Sequence, residues 1–241
     1  MPHTSPHLSP IPPQAPPPLT GWPLLRLGFR PFYLLTALLA GISVPVWMAA
    51  FLGYMPLQLP LSGLLWHGHE MLFGFAVGVI AGFLLTAVKA WTGHMTARGP
   101  LLAALVLLWL AGRIAAVCAP YPVFAVVDML FLPAVAVVLL RVLFKSGNTR
   151  NIPLISLLLL MSVANLCFHL TQLNLVDWDP LRPLYAELGL ILMVVSVMTG
   201  RVVPMFTRNV TPGLVINTSR SFELGLLAVT GVTLMLWVGA A

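Results

Sequence analysis

Hydrophobic residues in this chain are gathered into long runs. A bilayer core about 30 Å thick is crossed by roughly 20 apolar residues in a helix. Seven runs reach that length, at roughly 31–53, 64–88, 100–118, 122–144, 152–175, 184–203 and 222–241. Short segments rich in turn formers separate them, among them GYMPLQLP, TARGP, CAPYP and DWDPLRP. The pattern predicts an all-α fold, a polytopic transmembrane bundle of about seven helices occupying residues 24–241. Residues 1–23 depart from it, with nine prolines and no apolar core, and read as a disordered Pro-rich tail rather than a signal peptide or a helix.

Composition agrees with the pattern. The chain is 59% hydrophobic and 7% charged, with a mean hydropathy of +0.99, whereas a soluble domain carries about 25% charged residues. The formal charge of +6 would suggest nucleic acid in a soluble protein. Here it reads as topology, with membrane lipid as the partner and no nucleic acid. If the helices alternate in direction, Arg26, Arg30, Lys89, Arg98, Arg141, Lys145, Arg150, Arg201, Arg208 and Arg220 fall at one end of the bundle. The other end holds only Arg182, beside Asp177 and Asp179. This ten-to-one bias predicts a cytoplasmic N-terminus. Cys118 and Cys167 lie in separate apolar runs and form no metal-type spacing.

Polar groups inside the runs are the candidate chemistry, because such groups are costly in a bilayer. The second run opens with LWHGHEM, bringing His67, His69 and Glu70 into its non-cytoplasmic end. Asn165, His169 and Gln172 occupy the same end of the fifth run, and Glu187 starts the sixth. On a helix His67 and His69 stand about 200° apart, so sharing one metal is difficult for them. His67 shares a face with Glu70, Gly74, Gly78 and Gly82, a GxxxGxxxG run suited to close helix packing. Each histidine is either a ligand or an interfacial ring beside Trp66. Ser162, Asn165, His169 and Gln172 form one polar stripe, which is either interhelical glue or the setting of a ligand imidazole at His169. Arg113 and Asp128 flank the APYP turn at matching depth, which predicts an ion pair. The alternative partner for Arg113 is an anionic group such as a haem propionate. Met71, Met198, Met205 and the two cysteines are soft donors of a kind that suits copper. Packing accounts for them equally well, and none is assigned as a ligand.

The segments LGFRPFYLL, WHGHEMLFGFAVGVIAGFLLTAV, WTG, LAGR, DMLFLPA, NLCFHL and GRVVPMFTRN resemble the NnrS family over roughly residues 24–210. What the resemblance implies is a multi-pass protein of the bacterial inner membrane that binds haem and copper. It further implies a role in the nitric oxide and nitrosative stress response of denitrifying bacteria, with nitric oxide as small-molecule ligand. The family motifs fall on His67, His69, Glu70, Arg113, His169, Arg201 and Arg208. Haem or copper ligation is then expected from His169, His67 and His69, with Arg113 near the cofactor and Glu70, Asn165 and Gln172 supporting the ligands. Two departures stand out. Family members are longer, so the chain is expected to be an N-terminal half, and Lys89 stands where a proline is expected before WTG. The competing readings are a transporter or metal-handling protein, and a structural subunit of a respiratory assembly.

Overall fold

The structure, a computed structural model, describes residues 21–56, 58–211, 213–214 and 219–240. Residues 1–20, which hold nearly all of the expected tail, lie outside the described residues, and Pro23–Leu25 already forms a short helical turn. Among the described residues, seven helices long and apolar enough to span a membrane follow. They are α1 (Phe29–Phe51), α2 (Gly63–Thr92), α3 (Gly99–Cys118), α4 (Tyr121–Ser146), α5 (Ile152–Gln172), α6 (Leu181–Val210) and α7 (Arg220–Ala240). No strand occurs among the described residues. In lipid only such self-satisfied backbones can span, and this accounts for the uniform architecture.

Three boundaries differ from the hydropathy reading for physical reasons. α2 runs on to Thr92, where Gly93 adopts φ 71° and caps the helix in the left-handed conformation. α4 is broken at Leu130 into Tyr121–Met129 and Phe131–Ser146, because Pro133 cannot donate to the carbonyl four residues earlier. α6 extends far beyond residue 203 and carries Pro204 inside it.

α2 is the centre of the bundle. Its glycine face admits α1 and α3 so closely that a Cβ at Gly82 would stand 2.8 Å from Phe32 Cβ, and one at Gly78 would stand 2.5 Å from Thr36 Cγ2. The GxxxGxxxG stripe is therefore the close-packing face that its spacing predicts. One apolar core, including Phe32, Leu84, Leu139 and Leu158, fills the end nearer the basic residues. A second, with Trp66, Phe73, Phe124, Phe168 and Leu184, surrounds the polar layer at the other end. α7 packs against α6, where Tyr185 and Trp237 meet edge to face at 5.3 Å.

Candidate metal centre

Local structure brings the site together. Within α2, residues Glu70–Ala76 form a π-helical segment, a widened turn that is frequent at functional sites. It follows directly on His69, so His69 and Glu70 enter the bundle side by side and both are buried. Arg113 lies on the inner face of α3, and Asp128 lies on α4 just before the Leu130 break. The tight turn at Ala119 and Pro120 sets these two at one depth, and α5 supplies Asn165 and His169 on its buried side.

The expected ion pair is present and larger than the sequence suggested. Arg113 Nη2 donates to Asp128 Oδ1, and Arg113 Nη1 donates to Glu70 Oε1 at 2.6 Å. Glycine makes room for it: a Cβ at Gly74 would stand 2.7 Å from Arg113 Nη1, and one at Gly112 would stand 3.2 Å from Asp128 Oδ1. The guanidinium is thus held between two carboxylates, Glu70 and Asp128.

Asp128 is the hub of the layer. Its Oδ2 accepts from Asn165 Nδ2 at 2.6 Å and lies 3.3 Å from His69 Nε2 and 3.2 Å from His169 Nε2. The remaining ring nitrogens are also tied. His69 Nδ1 lies 3.3 Å from Glu70 Oε1, and His169 Nδ1 lies 2.8 Å from the Tyr121 hydroxyl. His69, Asp128 and His169 each offer one ligand atom, all within 4.8 Å of one another, and all three residues are buried. Two imidazoles with one carboxylate suit a divalent transition metal such as copper, zinc or iron. Imidazoles anchored through the opposite nitrogen are the usual support for metal ligation. Charge favours a cation as well: one guanidinium faces two carboxylates, which leaves an excess of one negative charge if both imidazoles are neutral.

A porphyrin fits this packing poorly. His69 is ringed by Phe73, Phe124 and Phe168 with centroids at 5.0, 5.2 and 4.9 Å, and His169 by Phe124 and Phe168 at 5.1 and 5.7 Å. The three ligand atoms between these rings lie close enough together to hold a single ion.

Of the expected site residues, His69, Glu70, Arg113, Asn165 and His169 converge. His67 does not. It turns to α1 and stacks on Trp47 with ring centroids 3.9 Å apart and planes 13° from parallel, because its position two residues from His69 puts it on the opposite side of α2. Gln172 lies at the partly exposed end of α5, outside the cluster. Glu187, near the start of α6, is fully buried, and neither of its carboxylate oxygens has a hydrogen-bond partner. Two participants went beyond the sequence reading. By sequence Asp128 reads as an ion-pair partner alone, and Tyr121 is not among the expected site residues. A polar ring at the first residue of α4, in the turn that also sets the Arg113–Asp128 register, was the available signal for Tyr121.

No curated protein and no solved structure matches the chain. The profile of one family, described as NnrS protein, matches residues 23–241. With a match over most of its length, the chain belongs to the NnrS family.

Proposed function

We propose that this multi-pass protein holds a transition-metal ion, copper by its family resemblance, at His69, Asp128 and His169, and that it serves the nitric oxide response from the bacterial inner membrane. The observation that carries the metal reading is the convergence of three buried ligand atoms on one point, with the two free imidazole nitrogens already anchored. A copper ion held there by His69, Asp128 and His169 would supply one-electron redox chemistry. The chain's own residues do the rest. Glu70 and Tyr121 fix the orientation of the imidazoles, Asn165 holds Asp128 Oδ2, and the phenylalanine rings exclude water. The basic bias puts the centre at the periplasmic side in this reading.

The test is metal analysis of the purified full-length protein, with electron paramagnetic resonance and optical spectra. Near-stoichiometric copper in the wild type, lost in His169→Ala, is the expected result. A metal-free protein after copper-replete growth overturns the reading. A Soret band that moves in His169→Ala overturns it in favour of haem at the same imidazole.

A further inference from the structure

The arginines at the basic end of the bundle take no part in the metal layer, and one of them is held in a way that orientation in the membrane does not require. Arg201 lies about 20 residues after Leu181, the first residue of α6, which at about 1.5 Å per residue sets it about 30 Å along the helix. A hydrocarbon core is about 30 Å thick, so the guanidinium stands where acyl chains give way to headgroups. α6 borders lipid there, with Val195 and Val203 each more than half exposed.

Three elements converge on this guanidinium. Arg201 Nη1 donates to Asn151 Oδ1, and Nη2 donates to the Arg150 carbonyl at 3.4 Å. Its Cζ lies over the Trp91 ring, 5.9 Å from the centroid. Asn151 is buried and braced in turn, its Nδ2 donating to Asn148 Oδ1 at 3.0 Å, while Asn148 Nδ2 donates to the Trp91 carbonyl at 3.4 Å. Every acceptor in this arrangement is neutral. Among the described residues neither Arg150 nor Arg201 has a carboxylate partner, and Glu223, the one acidic residue of the sequence at this end, pairs with neither.

Arg150 leaves the same short turn, Thr149–Asn151, whose carbonyl Arg201 engages, and its side chain is exposed. Arg141 and Lys145, exposed at the end of α4, add to the same field. Like charges gathered without a counter-charge repel one another, and an anion among them relieves that repulsion. Guanidinium groups match phosphate oxygens in geometry and charge. Basic pockets between transmembrane helices are a known setting for acidic headgroups, and a phosphate carried on acyl chains arrives at this depth without leaving the bilayer.

We propose that Arg150 and Arg201 bind the headgroup phosphate of an anionic phospholipid in the leaflet at the basic end, with Trp91 as the interfacial ring beside it. The anchoring of Arg201 by Asn151 and the Arg150 carbonyl holds its guanidinium ready for the phosphate. The site lies at the opposite end of the bundle from His69, Asp128 and His169, and binding there does not depend on the metal.

The experiment measures equilibrium binding of a fluorescent phosphatidylglycerol to the full-length protein in neutral detergent, with phosphatidylcholine and glycerol 3-phosphate as competitors and thermal melting on the same samples. The expected result is saturable binding that weakens about fivefold in Arg150→Gln. Melting holds in that variant, because the carbonyl that Arg201 uses is retained. Arg98→Gln, an exposed cation of the α2–α3 loop at the same end, leaves the affinity unchanged. An affinity in Arg150→Gln equal to wild type, or the same loss in Arg98→Gln, overturns the proposal, the second outcome in favour of diffuse attraction to the whole basic end. Equal affinity for phosphatidylcholine overturns it as well. Displacement of the lipid by an equal concentration of glycerol 3-phosphate overturns it in favour of a soluble phosphate ligand.

Discussion

The two faces of α2 start from the same residue type and reach different ends. On one face His69 is completely buried among Asp128, Asn165 and Glu70, and His169 approaches it to 5.4 Å between ring centroids. On the other, His67 is only partly buried and lies flat on Trp47 of α1, with its Nδ1 unpartnered. The side chain is the same and the depth nearly so. The neighbours differ: His69 meets carboxylates delivered by its own helix and by α4, while His67 meets an aromatic ring. An intramembrane imidazole becomes a potential ligand where independent helices bring it acidic and amide partners, and a packing element where they do not.

The contrast is tested hardest at Arg113, whose removal leaves Glu70 and Asp128 uncompensated in the interior. Arg113→Ala is expected to cost about 3–5 kcal/mol, read as loss of folded protein in detergent and a steep fall in thermal stability. Asp128→Asn is expected to cost less, because Arg113 and Glu70 then remain a neutral pair. Equal stability of Arg113→Ala and wild type would refute a structural role for the pair.

Close packing behind the His69 face gives the next largest effect. Gly78→Ala places a methyl group where Thr36 Cγ2 and Trp109 Nε1 already stand, and a cost of about 1–3 kcal/mol is expected from overpacking. A melting temperature unchanged in this variant would mean that α1 is loosely held.

Metal affinity then separates the two histidines. His69→Ala and Glu70→Gln are expected to reduce it, the latter by about 10–100-fold as the imidazole loses its anchor, with metal content of membranes and of purified protein as the measurement. Loss of metal in His67→Ala, with His69→Ala unaffected, would exchange the roles of the two faces. The smallest effect is expected from His67→Ala itself, with metal retained and stability lowered by about 0.5–1.5 kcal/mol from the lost ring stacking.

Orientation is independent of all of these. An alkaline phosphatase fusion in the α2–α3 loop beside His94 and Arg98 is expected to be inactive, in keeping with a cytoplasmic location. High activity there would place the metal layer on the cytoplasmic side.

Much of this was legible in the chain. Seven apolar runs determine seven spans because no other backbone arrangement satisfies its hydrogen bonds in lipid. The glycine spacing of α2 determined which face packs closely. The matching distances of Arg113 and Asp128 from one tight turn determined their pairing, since antiparallel neighbours share depth. The polar stripe of α5 announced that Asn165 and His169 face away from lipid. What remained to tertiary structure was which polar groups meet. Helical spacing separates His67 from His69 but leaves open which neighbours stand on either side. Only the packing of α4 and α5 against α2 gives His69 to Asp128 and Tyr121 to His169, and only the packing of α1 gives Trp47 to His67. The role of Asp128 as the meeting point of Arg113, Asn165, His69 and His169 depends on contacts between residues far apart in sequence. Its polar contacts come from three other helices, and those are fixed by the three-dimensional arrangement of the bundle alone.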